Sequence, residues 1–138
     1  MNGFRSKLAQ VVTGDGRNVK FVDDVDYTAN DGTHYRIPRG ASSDGISSPP
    51  ASWPVRPPFG KDWLAGCFHD AAYRNTLLVV ETSLSGFEST HLAELPKDKC
   101  DMLLREAALS LGDSETEADA LFYGVKDFGW KAFNQDRT

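Results

Sequence analysis

The sequence predicts an α+β fold, an N-terminal antiparallel β meander packed against about three C-terminal helices. Three observations carry this expectation. Apolar residues alternate with polar ones up to Pro38 and are interrupted by turn-forming residues. The turn signal Asn30-Asp31-Gly32 sits between two such runs. Beyond residue 60 the apolar spacing becomes helical and is punctuated by Pro96 and Gly112.

Taken in order, Phe4 to Val12 carries Leu8, Val11 and Val12 and ends at the turn Thr13-Gly14-Asp15-Gly16. Residues 18–28 read as a second strand through Val19, Phe21, Val25 and Tyr27. Thr33 to Pro38 follows as a third, and Pro38 closes the meander because it cannot donate to a ladder. Residues 39–60 hold Gly40-Ala41-Ser42-Ser43-Asp44-Gly45 and, counting Pro38, the span 38–58 holds six of the seven prolines. That composition excludes a helix. Ile46, Trp53, Val55 and Phe59 are too apolar for a solvated tether, so the segment reads as an ordered loop packed on the domain.

A helix is expected at about 61–74, with Trp63, Leu64, Cys67, Phe68 and Ala71 as its buried stripe. His69 and Tyr73 lie one turn apart, and Asp70 is rotated by about a quarter turn from them. Polar groups beside such a stripe mark a helix that lines a pocket. Residues 75–96 form an insertion in which Leu77-Leu78-Val79-Val80 suits a strand and Ser83 to Ser89 a loop. A mobile flap and an ordered insertion fit it equally. Pro96 opens the first turn of a helix from Lys97 to Leu111, which Gly112 stops. Asp113 or Ser114 caps the last helix, with Glu117 three residues after Ser114 as a capping box, and its core face is Leu121 or Phe122, Val125, Phe128 and Ala132-Phe133. Residues 1–138 are read as a single domain: 1–38 the meander, 39–60 the Pro/Gly/Ser-rich loop, 61–134 the helical part with its 75–96 insertion.

At 138 residues, 40% hydrophobic and 25% charged, the chain has the make-up of one core. A net charge of -5 argues against a nucleic-acid surface. No apolar run reaches the roughly 20 residues of a membrane span, and no signal-peptide core follows Met1. Cys67 and Cys100 belong to no CxxC pair, so we expect reduced thiols rather than a zinc knuckle. Each lies one or two residues before a motif acid or histidine, which suggests that they are neighbours in space.

The residues with chemical potential are Asp44 in the loop, His69, Asp70 and Tyr73 on the first helix, and Asp101 at the start of the second. A neutral imidazole takes a proton from water near pH 7, and a carboxylate on its second nitrogen fixes the tautomer and stabilises the cation formed. A further carboxylate in an oxygen-rich loop suits a hard divalent ion such as calcium. Each residue also has a structural use: His69 on a buried carbonyl, Tyr73 with Asp101 holding two helices in register, Asp44 in an Asx turn, Asp101 favouring the helix dipole. His34 and His91 read as surface residues, and Lys97, Lys99 and Arg105 as a solvated face.

Two resemblances follow from these motifs. Tyr35 to Pro49, then Trp53-Pro54, His69-Asp70-Ala71-Ala72-Tyr73-Arg74, Cys100-Asp101 through Leu109, and Val125 to Gly129 resemble, in that order, a family of unknown function from tailed phages and prophages, the DUF1353 family. The longer 75–96 insertion and Ala41-Ser42-Ser43 before Asp44 depart from its pattern. His69-Asp70-x-x-Tyr73 with downstream Asp101 is also similar to the catalytic helices of phospholipase A2, most closely the compact parvovirus form. That resemblance implies His69 as the base, Asp70 as a calcium ligand with Asp44 from the loop, Asp101 orienting His69, and Tyr73 bonded to Asp101. The loop is Ser/Pro-rich rather than a tight glycine turn. Together the resemblances imply a metal-dependent hydrolase acting on a lipid or small ester, located in a host cytoplasm or virion. The alternative they leave is a virion or tail accessory protein, with other phage structural proteins as partners and a structural His-Asp-Tyr-Asp cluster. A third is an intracellular protein that blocks a host defence.

Overall fold

The computed structural model describes residues 3–4, 10–12, 19–43, 63–128 and 133–134. Its strands are β1 (Gly3–Phe4), β2 (Gln10–Val12), β3 (Val19–Phe21), β4 (Val25–Thr28), β5 (His34–Ile37), β6 (Ser42–Ser43), β7 (Leu78–Thr82) and β8 (Glu88–Leu92). The helices are α1 (Trp63–Tyr73), α2 (Lys97–Ser110) and α3 (Glu115–Phe128). This is the expected α+β arrangement of N-terminal antiparallel strands with three helices following.

The N-terminal strands divide between two sheets, in the orders β1-β4-β5-β7-β8 and β2-β3-β6. Residues 18–28, expected as one strand, are therefore two. The chain bends at Val22–Asp24, where the Asp24 carboxylate accepts the Arg39 amide at 2.8 Å. That bond satisfies a donor at the bend and lets β3 and β4 join different sheets. The β4–β5 hairpin is the one the Asn30-Asp31-Gly32 signal predicts, with Thr28 facing His34. Asp31 accepts the Thr33 amide at 2.9 Å, and Gly32 takes the positive φ of +89° that the turn demands.

The 75–96 insertion is an ordered hairpin. β7 pairs with β5, and β8 pairs with β7, from Leu78 opposite Leu92 to Thr82 opposite Glu88. The insertion thus widens the first sheet.

One hydrophobic cluster joins this sheet to the helices. Phe68 of α1 packs against Tyr27 and Tyr35 at ring-centroid distances of 4.9 and 5.7 Å, and edge-on to Phe4 at 6.1 Å. Such tilted and edge-to-face pairs suit the aromatic quadrupole. The other side of α1 meets α2, so α1 is buried on nearly every face rather than along one stripe. Cys67 and Cys100 are both buried in this core and are not joined in a disulfide.

α1 ends in a Schellman motif: Thr76 donates to the Ala71 carbonyl at 2.9 Å and Asn75, at φ +58°, to that of Ala72 at 3.2 Å. α2 ends the same way through Asp113 to Ala108 and Gly112 to Leu109, both at 3.1 Å. Pro96 is the residue that caps α2 rather than its first helical position. The expected capping box of α3 is present: Ser114 Oγ accepts the Glu117 amide at 3.1 Å, and Glu117 Oε1 accepts the Ser114 amide at 3.0 Å. Leu121 is buried, while Phe122 and Val125 are half-buried; the Phe128 side chain and Ala132 fall outside the described residues.

Candidate active site

The buried flank of α1 explains where its polar residues go. With Phe68 committed to the sheet, the neighbouring His69 and, one turn on, Tyr73 face α2. There both meet Asp101. His69 Nε2 lies 2.9 Å from Asp101 Oδ1, and the Tyr73 hydroxyl donates to the same oxygen at 2.6 Å. An ionised carboxylate only accepts, so Nε2 carries the proton and the basic lone pair of the neutral ring is on Nδ1. The two rings are stacked at a tilt, with centroids 4.0 Å apart.

Asp101 is 2% exposed. Its position corrects the helix-dipole reading: it lies in the second turn of α2 and points inward. Burial pushes its pKa up, but the hydrogen bonds from His69, Lys97 and Tyr73 outweigh burial and hold the carboxyl below its ordinary range. It is an anion at neutral pH.

Lys97 is the participant that sequence reasoning missed. Read as part of a solvated face, it is 5% exposed, and its ammonium donates to Asp101 Oδ2 at 2.7 Å. The same nitrogen donates to the carbonyls of Val125 at 2.8 Å and Lys126 at 3.3 Å in the last turn of α3. The i,i+4 spacing of Lys97 and Asp101 was the available signal. Arg105, from the same expected face, pairs with Asp119 at 2.6 Å, and Lys99 approaches Asp31 at 3.8 Å. His34 is half-buried beside Asp26, 3.2 Å away, rather than on the surface, whereas His91 is exposed on β8.

Asp70 turns away from this cluster. It is half-buried and accepts a hydrogen bond from Ser43 Oγ at 2.6 Å, while Arg74 Nη1 donates to the Ser42 carbonyl at 3.1 Å. These contacts fasten β6, the start of the Gly/Ser/Pro segment, to α1. Asp44 is the next residue and lies outside the described residues. The structure therefore joins His69, Tyr73 and Asp101, and sets Asp70 on a separate contact.

As a test of a calcium site, Asp70 contributes one carboxylate and Ser43 one hydroxyl, with the Arg74 guanidinium held nearby. Among the described residues no three His, Cys, Asp or Glu side chains are grouped to hold a metal ion. The described donors do not complete such a site.

A concavity of about 500 Å³ borders Asp101, lined by Pro96, Lys97, Asp98, Asp101, Lys126, Asp127 and Phe133, with neither His69 nor Tyr73 in its lining. Phe133 also meets Tyr73 edge-on, with centroids 5.3 Å apart. No helix among the described residues is long and apolar enough to cross a membrane.

No curated protein and no solved structure matches the chain. A family model described as "Protein of unknown function (DUF1353)" matches residues 19–125. That span contains both sheet strands of the β4–β5 hairpin, the β7–β8 hairpin and every member of the cluster around Asp101. The chain belongs to the DUF1353 family.

Proposed function

We propose that this chain is a hydrolase in which His69 is the general base, acting on an acyl ester such as that of a phospholipid, in a phage or prophage setting. The observation that supports it is the pairing of His69 Nε2 with Asp101 Oδ1 at 2.9 Å, with Tyr73 on the same oxygen. His69 Nδ1 accepts the proton of an attacking water, Asp101 stabilises the imidazolium that results, and Tyr73 keeps the carboxylate aimed at the ring. The shared motif order with DUF1353 and the similarity of His69-Asp70-x-x-Tyr73 and Asp101 to phospholipase A2 helices motivate the setting and the substrate class.

A second reading has its own observation. Lys97 shares Asp101 with His69 and so weakens the carboxylate's hold on a developing imidazolium, while pinning α3 to α2. On that reading the cluster is a clasp in a virion or tail accessory protein.

The test is fatty-acid release from phospholipid vesicles and from a soluble ester, with calcium supplied and with calcium chelated. Folded wild-type protein is expected to cleave at least one of them, and His69→Gln to lose about 100-fold or more of that rate, the usual share of a general base. A folded wild type inactive under all four conditions overturns the proposal. His69→Ala would then report the clasp, through a stability loss of about 1–3 kcal/mol.

A further inference from the structure

Among the described residues the first sheet ends on an open, fully exposed strand. β8 is its edge, and all five of its residues, Glu88-Ser89-Thr90-His91-Leu92, are exposed. Its register with β7 runs without a bulge. It has no proline and no lysine, and Glu88 is its one charged residue. Sheet edges ordinarily carry one or more of these devices because open N–H and C=O groups template another strand. The opposite edge, β1, is only two residues long.

The ladder fixes which groups are open. The Ser83 amide donates to the Phe87 carbonyl at 2.8 Å, and the Ala93 amide to that of Leu77 at 2.9 Å. Antiparallel pairs alternate, so residues 87, 89, 91 and 93 turn their amides toward β7. Glu88, Thr90 and Leu92 turn theirs outward.

We propose that β8 pairs antiparallel with β8 of a second copy of this chain, about a two-fold axis at Thr90. In that register Thr90 faces Thr90 of the second copy and Glu88 faces its Leu92, and reciprocally, so every outward N–H and C=O of the three residues is bonded. Shifting the centre by one residue leaves one of the three outside the strand. Centring the pair on Glu88 sets two carboxylates face to face.

The Thr90 register is electrostatically clean. The two Glu88 carboxylates stand roughly 14 Å apart along the ladder, more than a Debye length at physiological salt. Each also lies near its own Arg36, at 3.5 Å. Ser89 faces His91 of the second copy, which sets a hydroxyl opposite an imidazole. Phe87, 76% exposed at the hairpin tip, falls opposite Ala93 of the second copy, and Leu92, 43% exposed, lies beside the stem of its Glu88. The joined sheet covers apolar surface that the single chain leaves in water. Closed two-fold pairing of this kind is the commonest symmetry of soluble oligomers.

Sedimentation equilibrium of the full chain over roughly 1–300 µM, the range in which a small interface dissociates, tests the proposal. The wild type is expected to move between monomer and dimer across that range. Thr90→Pro removes an outward N–H without touching the β7 ladder, and should weaken the dimer about 10-fold or more with the circular dichroism retained. Thr90→Lys sets two ammonium-bearing side chains about 5.5 Å apart at Cα and should do the same, which keeps the test valid if the proline variant misfolds. A wild type that stays monomeric throughout overturns the proposal. So does a dimer whose dissociation constant is unchanged in every folded Thr90 variant.

Discussion

Asp101→Asn is the most informative single substitution, because it removes one charge from a dry cluster and almost no volume. In the wild type the carboxylate receives Tyr73 at 2.6 Å, Lys97 at 2.7 Å and His69 at 2.9 Å. Asparagine keeps one acceptor oxygen and turns the other position into a donor that faces either an ammonium or a hydroxyl and imidazole. At least one contact is lost whichever way the amide is turned. The larger effect is on Lys97, whose side chain is 4% exposed and whose buried ammonium would lose its carboxylate partner at 2.7 Å. Breaking one partner of a buried ion pair costs about 3–5 kcal/mol. The remaining carbonyl contacts place the expected loss near the lower end, about 3 kcal/mol, or roughly a 10 °C fall in Tm for a chain of this length. Urea unfolding at pH 7, followed by circular dichroism with an unchanged m value, measures it. Adding Lys97→Met to Asp101→Asn should recover part of the loss, since the double variant has no stranded charge. A loss below about 1 kcal/mol, with no recovery in the double variant, would show that water reaches the ammonium and would refute the dry-cluster reasoning.

Two further outcomes follow. Asp101 has its folded pKa depressed, so its stabilisation is complete above the unfolded carboxylate value of about 3.9 and is lost as pH falls through the lower folded value. Unfolding free energy should therefore drop below about pH 4, and more shallowly in Asp101→Asn; identical acid limbs in the two proteins would refute this. Gly112, at φ +100° in the α2 Schellman motif, has nothing within 4 Å of an added Cβ, so Gly112→Ala meets backbone strain without a clash. It should lose about 1 kcal/mol in the same urea assay, and a gain in stability would show that the left-handed conformation is not required there.

What was legible in the sequence was whatever rests on local chemistry. The Ser114–Glu117 box, the Asn30-Asp31-Gly32 hairpin and the Gly112 stop each depend on a few neighbouring residues whose backbone demands are specific. His69 and Tyr73 were legible as neighbours because helical spacing puts them on one face, and the resemblance to phospholipase A2 helices singled out Asp101 among the three acids of the next helix. The division of residues 18–28 was not, since the bond that allows the bend comes from the Arg39 amide, 15 positions away from Asp24. β8 was hidden for another reason: exposed on both faces, it has no apolar alternation to read. Lys97 was misassigned because composition prices a lysine as solvated, and only the packing of α3 over α2 closes water away from it.

The arrangement of donors around Asp101 separates the two readings of the site. A buried carboxylate needs its oxygens satisfied, and Tyr73 already serves Oδ1 while Lys97 serves Oδ2. A clasp between α1, α2 and α3 is complete with those two residues, because Tyr73 belongs to α1 and the Lys97 ammonium also holds the last carbonyls of α3. His69 is the extra member. The Asp101 carboxylate does not need this third donor to have both of its oxygens bonded. An imidazole oriented by an anion is instead what proton transfer near pH 7 requires. The two readings consequently differ in what His69→Gln should do to folding. As a base, His69 is replaceable at little cost in urea midpoint and at great cost in ester cleavage. As a clasp member, it should cost stability with no rate to lose.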